Sequence, residues 1–581
     1  MRVAVIGGGI SGLVAAYRLR AALGETLELT LFERRDRVGG ILRTRDIEGD
    51  PVDLGAEAFV GRRPEIPALM RELGIEDQLV HPAGLRPLIW SGGAPHPLPE
   101  RTLMGIPSGP DAVAGLVDDA TLRRITEEPN RPLHWDRDTD TSVGALVSDR
   151  FGDQTVRRSV DPLLGGVYAG LADTIGIRAA LPTLAAALDA GAPNLTQAVA
   201  AALPPPSTTP VFGGIRGGYR ALLDALLTAA APDLETTTAA TKIERIGRKW
   251  RVHTATPATG TEPIADRSNV HNNLAARDHD GAALGAPVDT ETAATDFERT
   301  PGGSHAVGPA AQGLGEAAPG TRAVGSAARG PREAVSGARG AGSAARGPGE
   351  AMPGARGVGS AAQGPERATP DTSPAPTDLE PGWHPGPLGE FDAVILATPA
   401  PVTARLLASV APDAARAAEG IGTASSVVVA LALPADTPLP QNSGILVATG
   451  EPLRAKAFTL SSRKWSHLAE REVALVRASF GRFGDDRPLS WSDEELIAAA
   501  VEDLATVTGI QPQPKSAVVQ RWPNGLPQYA PGHTERVATI EAAVAELPGL
   551  AVAGSYLRGV GVPACAAAGT AAARRILGVA R

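Results

Sequence analysis

The chain opens on an unbroken apolar run, Val3-Ala4-Val5-Ile6, passes through Gly7-Gly8-Gly9-Ile10-Ser11-Gly12, and continues at helical spacing from Leu13 to Leu19. An unbroken apolar run predicts a strand buried on both faces of a parallel sheet. Leu27 to Glu33 predicts a second strand, and Pro51 to Val60 a strand and turn of the form D-x-G-x-x-x-F. Pro64–Gly74 carries Leu69, Met70 and Leu73 on one helical face. Arg86–Trp90 and His96–Pro99 read as a hairpin around Ser91-Gly92-Gly93. Helical spacing dominates from Pro110 to Ala202. Two strands follow, at Ala240–Ile246 and Lys249–His253. Phe391–Thr398 is again a buried strand with its turn. Ser425–Leu433, Gly444–Thr449 and Val473–Phe480 predict a second sheet, and Glu494–Thr506 a helix. The strand Leu550–Gly554 and the helix Ala564–Leu577 close the chain.

Between Thr256 and Gly389 this patterning stops. The stretch is rich in Ala, Gly, Pro, Arg and Thr, and repeats with period 17 at Val307-Gly308, Val324-Gly325, Ala341-Gly342 and Val358-Gly359. Such a period can mark a solenoid, but these units lack the leucines or isoleucines that stacking would bury. Residues 256–389 are therefore expected to be a disordered low-complexity insertion. Its flanks are strands of one domain. Closing a long loop costs only about 0.6 kcal/mol per doubling of length, so a fold tolerates it.

The glycine turn carries the first chemistry. Gly7, Gly9 and Gly12 fit G-x-G-x-x-G: a tight turn, an open backbone for a pyrophosphate, and a close helix–strand approach. The helix that follows offers free N–H groups and a partial positive charge. Glu33 ends the second strand, where an acid accepts hydrogen bonds from a ribose diol. A second glycine pair, Gly39-Gly40, then precedes Arg43.

Composition narrows the choices. The 581 residues allow two or three domains, and 43% hydrophobic content permits a sizeable core. A net charge of −9 leaves no basic footprint for nucleic acid. Cys565 is the single cysteine, so no intramolecular disulfide is possible and a cysteine-based zinc site is not expected. The ten histidines show no ligand spacing, and no metal is expected. No apolar run reaches the roughly 18 residues of a spanning helix. No signal peptide fits ahead of the first strand. A cytoplasmic protein is expected, at most peripheral to a membrane.

The glycine pair and arginine after the ribose acid resemble the FAD version of this fold. The middle of the chain is more specific. Leu103-Met104-Gly105-Ile106-Pro107-Ser108, Asp161-Pro162-Leu163-Leu164-Gly165-Gly166-Val167-Tyr168-Ala169-Gly170 and Phe212-Gly213-Gly214-Ile215-Arg216-Gly217-Gly218-Tyr219 resemble the bacterial coproporphyrinogen and protoporphyrinogen oxidases. So does Pro527-Gln528-Tyr529-Ala530-Pro531-Gly532-His533. The resemblance covers residues 1–255 and 390–581.

It implies an α/β fold. A discontinuous, Rossmann-type, p-hydroxybenzoate hydroxylase-like FAD domain would take residues 1–85, 205–255, 390–420 and 540–581. A mixed-sheet substrate domain would take 86–102 and 421–539, and an inserted helical subdomain 103–204. It implies non-covalent FAD, with contacts at Gly7, Gly8, Gly9, Ile10, Ser11, Gly12, Glu33, Arg34, Gly39, Gly40, Arg43, Gly55, Ala56, Glu57 and Ala58. Ile243 would touch the adenine through its backbone, and Val560, Gly561 and Val562 would lie against the flavin ring. Arg86 would hold a substrate propionate, with Arg454, Lys456, Arg463 and Lys464 as further basic candidates.

The implied reaction is six-electron oxidation of coproporphyrinogen III to coproporphyrin III in haem synthesis. It would take three flavin turnovers, with O2 as acceptor giving H2O2. The flavin carries the chemistry, so no catalytic side chain is assigned. His533 reads as a structural turn residue and Cys565 as a packed thiol. The alternatives are a protoporphyrinogen IX oxidase, a more distant amine oxidase or carotenoid desaturase, and a non-catalytic porphyrin carrier. A ferrochelatase is the implied neighbour in the pathway. Oligomeric state is open.

Overall fold

The computed structural model describes residues 1–205, 210–257 and 383–579, with the backbone alone of 270–272. The chain divides into one unit of Met1–His279 with Thr377–Arg581 and a second, Asp280–Pro376, which lies outside the described residues.

The first unit is built on a five-stranded parallel sheet. β1 (Arg2–Ile6) occupies its centre, and α1 (Ile10–Leu23) leads to β2 (Glu28–Phe32) on one side. β3 (Ala393–Leu396) pairs with the other side of β1, Val3 opposite Ala393. The strands Asp233–Glu235 and Leu550–Val552 complete the two edges. The unbroken apolar run of β1 now has its reason. Val3 and Val5 enter the core formed with α1 and α2 (Val562–Leu577), while Ala4 and Ile6 enter a second core around Trp250, Val252 and Leu406. Both faces are covered from Val3 to Ile6, so none of these four positions can be polar. α2 starts two residues before the expected Ala564. Pro563 fits its first turn, where the missing N–H has no intrahelical partner to lose.

The second sheet has eight strands, in the order Val270–Asn272, Ser516–Pro527, Thr423–Pro434, Val473–Phe480, Ala457–Thr459, Gly444–Val447, Leu88–Ser91 and Ala94–Pro97. Three of these are called β4 (Thr423–Pro434), β5 (Val473–Phe480) and β6 (Ser516–Pro527). Here the pattern alternates. Val427, Val429, Leu431 and Leu433 of β4 pack on the helix Asp493–Thr508 through Leu496, Ala500 and Leu504. That helix starts at a full capping box between Ser492 and Glu495. Ala430 and Ala432 point the other way, to Ile47, Val52 and Leu54. The second sheet thus rests directly on the segment that leads into Gly55.

Residues 110–202 form short helices around their own core of Val143, Val147, Phe151, Leu164, Leu184 and Leu195. The buried Arg150 and Glu128 pair at 2.8 Å inside it.

The bounds of the insertion need correction. The strand Lys249–Pro257 continues into it, and Trp383–Pro385 pairs back, with Ala255 opposite Pro385 and Pro257 opposite Trp383. The backbone of Val270–Asn272 also forms a strand, against Ser516–Val518 of β6. A three-residue strand that covers a sheet edge needs no apolar periodicity of its own, so composition could not reveal it. The 17-residue repeats lie outside the described residues.

Candidate cofactor and substrate site

β1 passes to α1 through the glycine turn. A Cβ on Gly12 would lie 1.9 Å from the Gly7 carbonyl oxygen, so only glycine permits that packing. A Cβ on Gly9 would meet nothing nearer than the Gly40 Cα at 4.0 Å, so the backbone there is open. Gly9 caps α1 without a side-chain hydrogen bond, and no acid occupies the first turn. Ile10 is buried in the core, and Ser11 Oγ donates to the Cys565 carbonyl at 2.9 Å.

Glu33 is buried and accepts from the Gly8 and Arg35 amides at 2.8 and 2.9 Å. The Gly39 amide donates to the Gly8 carbonyl at 2.8 Å, which docks the second glycine pair on the first. Arg37 fastens this second loop by donating to the carbonyls of Val38, Gly40 and Leu42. Arg35 donates to the Gly40 carbonyl at 3.0 Å. Arg34 lies over the Trp383 ring at 5.8 Å. Burial, reinforced by like-charged neighbours, pushes the Arg37 and Arg43 guanidiniums down to about 10. For Arg43 those neighbours are Arg37, Arg45 and Arg35. Crowded guanidiniums beside an uncapped helix N-terminus and an open glycine suit a diphosphate.

The third segment is Gly55–Ala58. A Cβ on Gly55 would come within 2.0 Å of the Ile41 carbonyl oxygen. The Leu54 amide donates to the Arg43 carbonyl at 2.8 Å, so this segment lies against the second glycine loop. Ala56 packs on the core of α1 and Ala58 on the core beneath β4. Glu57, expected at the cofactor, has its carboxylate held by the second sheet and the helix beside it. Its carboxylate accepts from Ser461 at 2.5 Å and Lys464 at 2.7 Å, with Arg477 at 3.7 Å. Burial opposes that charge, but Lys464 and Arg477 outweigh it and hold the carboxyl down at about 2.

The start of α2 approaches the same place. Gly561 caps it with no side-chain bond, Val562 is buried, and Val560 packs on the helical core. Tyr529 clamps the loop ahead of α2. Its hydroxyl donates to the Ser555 carbonyl at 2.6 Å and accepts from the Gly559 amide at 2.7 Å. His533 stacks on Tyr529 at 3.9 Å and its Nε2 meets the Leu557 carbonyl at 3.1 Å. Burial lowers the His533 pKa, which suits a neutral, positioned ring. Burial pushes the Cys565 thiol up to about 12, far from a reactive thiolate. The Tyr-x-x-Gly-His spacing was visible in the sequence; its work on the 555–559 loop was not.

Two further expected contacts, Ile243 and Arg86, have the following surroundings. Ile243 is fully buried, pairs with Val252, and its carbonyl accepts from Ser409 Oγ. The irregularity of that strand falls between Ala240 and Lys242, which leaves the backbone of Thr241 out of the ladder. Arg86 is half-exposed; its guanidinium pairs with Glu100 and donates to the Leu98 carbonyl. Of the other basic candidates, Arg454 is tied to Glu502 and Asp503, and Lys464 to Glu57. Lys456 and Arg463 bond the carbonyls of Gly481 and Leu439.

One row crosses the second sheet on the face that carries Arg477. Ile89 lies opposite Leu446, Leu446 opposite Ala457, Ala457 opposite Ser479, and Ser479 opposite Val428. Leu446, Ala457 and Ser479 are only half-buried. Leu163 of the helix Asp161–Tyr168 and Leu446 both pack on the cluster of Ile89, Leu116 and Ala448, and Val167, one turn on, is 42% exposed. Small and apolar side chains on strands about 4.8 Å apart make a strip of low relief that an apolar ligand could lie on. Among the described residues, no group of three or more His, Cys, Asp or Glu could hold a metal ion. None of their helices is long and apolar enough to cross a membrane.

A model of flavin-containing amine oxidoreductases matches residues 10–266 and 383–577. The chain is 42% identical over 568 residues to the coproporphyrinogen III oxidase of Mycobacterium tuberculosis, covering 97% of this chain and 94% of that one. The chain belongs to the bacterial coproporphyrinogen/protoporphyrinogen oxidase family. It is an oxidoreductase of the flavin-containing amine oxidoreductase class, and FAD is its cofactor. The coproporphyrinogen III oxidase of Bacillus subtilis is 23% identical over 578 residues, 98% of this chain and 96% of its own. Among solved structures, cyclohexylamine oxidase from Brevibacterium oxydans IH-35A shares the fold at a TM-score of 0.56. It has 12% identity and covers 99% of this chain and 98% of its own. This family fold joins a Rossmann-type FAD-binding part to a substrate-binding sheet, as in the two sheets above.

Proposed function

We propose that this enzyme oxidises coproporphyrinogen III to coproporphyrin III, with O2 as the acceptor and H2O2 as the by-product. Full-length similarity at 42% identity to proteins named coproporphyrinogen III oxidase carries the choice. The low-relief strip from Ile89 to Val428, on the sheet face that also carries Arg477, supports an apolar macrocycle as substrate. Bound FAD supplies a two-electron acceptor, so three turnovers remove the six electrons that separate a porphyrinogen from a porphyrin.

The chain's own residues bind and orient. The Gly7–Gly12 turn, the N-terminus of α1 and the arginines of the second glycine loop would hold the diphosphate. Glu33 would accept from the ribose, with Arg34 beside it. Gly39, Gly40 and the backbone of Gly55–Ala58 would wall one side of the ring. Val560, Gly561 and Val562, at the uncapped start of α2, would meet its electron-rich edge. Arg86 would receive a propionate by exchanging Glu100 for it. No side chain is assigned to acid or base catalysis.

Side-by-side turnover of coproporphyrinogen III and protoporphyrinogen IX by the purified yellow protein tests the reading. Faster porphyrin fluorescence growth with coproporphyrinogen III is expected. Preference for protoporphyrinogen IX would move the enzyme to the sister activity, and binding of either without turnover would make it a carrier.

A further inference from the structure

Arg477 lies on β5 with its side chain buried, yet it serves a different part of the chain from its own sheet. Its Nη2 donates to the Gly55 carbonyl at 2.7 Å, and its Nη1 lies 3.7 Å from Glu57 Oε1. Its Nε is buried with no hydrogen-bond partner. Lys464 reaches the other Glu57 oxygen at 2.7 Å. Gly55 touches the Ile41 backbone, and Ile41 follows the glycine pair that docks on Gly8 and Gly9. Arg477, the partly buried Lys464 and one carboxylate therefore meet at the Gly55–Ala58 segment, which the reading proposed above places along one side of the flavin ring. Asp53 adds a further carboxyl, fully buried, bonded to Thr44 and to the Tyr219 amide. Burial pushes it up to about 7, so it carries at most a partial charge at neutral pH. The cluster is thus never net negative near pH 7.

A structural ion pair would need one cation for Glu57, and Lys464 already satisfies it. The second cation has another consequence. FAD reduced by two electrons and one proton gains one negative charge, and a buried positive charge nearby favours that form. We propose that Arg477 is a positioning and electrostatic residue that raises the reduction potential of the bound flavin, with Glu57 opposing it and Lys464 holding Glu57 in place.

Spectroelectrochemical titration of the FAD-loaded enzyme tests this without any porphyrinogen, so its outcome is independent of the substrate reading. Arg477→Met should favour oxidised flavin by about tenfold, which for a two-electron couple is a fall of about 30 mV. Arg477→Lys should restore most of the potential. Glu57→Gln should shift the couple the opposite way, in favour of reduced flavin. Opposite signs cannot come from a merely loosened site. Unchanged potentials, or shifts of the same sign in Arg477→Met and Glu57→Gln, would overturn the proposal. Should Arg477→Met fail to retain FAD, Glu57→Gln decides alone: a raised potential supports the proposal, and an unchanged or lowered one overturns it.

Discussion

Gly569 of α2 sits so close to Ser11 of α1 that a Cβ on it would lie 2.2 Å from the Ser11 carbonyl oxygen. One turn earlier, Ser11 Oγ donates to the Cys565 carbonyl. These contacts lock together the first turn of α1 and the early part of α2, from the two ends of the chain. Both helices begin uncapped, so the lock sets two N-termini beside each other. Gly569→Ala should force the helices apart and cost about 1–3 kcal/mol, the usual cost of overpacking. A thermal melt and the flavin content after gel filtration should both fall. Wild-type values for both would mean the contact is slack.

Glu33 holds the first glycine turn through the Gly8 amide and is the proposed acceptor for the ribose. Glu33→Ala should remove charge-assisted hydrogen bonds of about 1.5–3 kcal/mol. That corresponds to about a ten- to hundredfold weaker FAD affinity. Fluorescence titration of the apoprotein with FAD measures it. Unchanged affinity would sink the ribose assignment.

Arg86 is paired with Glu100 at the protein surface. If it receives a propionate, Glu100 competes for the same guanidinium. Arg86→Ala should raise KM for coproporphyrinogen III, and Glu100→Gln should lower it, with FAD content constant in both. Wild-type kinetics in both variants would leave Arg86 as surface charge.

Asp53 gives a pH signature. Its carboxyl is raised from the ordinary 3.8 to about 7, chiefly by burial, so the native state keeps a proton that the unfolded chain releases. The stability this contributes is full below 3.8 and is lost as pH rises through 7. Asp53→Asn mimics the protonated form. Its stability relative to wild type should grow between pH 5 and 7.5, by up to about 1.4 kcal/mol per unit. Glu57 titrates the other way, with stability present above 4.5 and lost as pH falls toward 2, so it does not enter that window. Parallel denaturation curves at the two pH values would show that Asp53 is ionised throughout.

Pro257 and Trp383 are register partners across one ladder, so the ends of the segment between them already meet. Replacing 258–382 with a short Asn-Gly turn suits such a hairpin. FAD content and turnover should persist, since only the three-residue strand Val270–Asn272 is lost from the described sheets. Loss of flavin on this deletion would assign the segment a structural role.

Some of this was written in the sequence because it is local. The unbroken run of β1, the glycines that a helix–strand contact demands, the acid at Glu33 and the alternation of β4 each follow from sterics or burial within a few residues. The family was also legible, because its motifs lie in order along the chain. What the sequence could not decide is which charges meet. Glu57 follows Gly55 closely enough to be expected at the cofactor. Only the fold brings Lys464 and Arg477, some four hundred residues on, to its carboxylate. Ile243 was expected at an adenine through its backbone, and only the fold shows its pairing with Val252 and the irregularity at Thr241. Tyr529 and His533 stood in a motif, but their grip on Gly559 and Leu557 exists only across the packed core. Backbone conformation is set by neighbours in the chain. Electrostatic partners are set by neighbours in space, and those appear only once both sheets are in place.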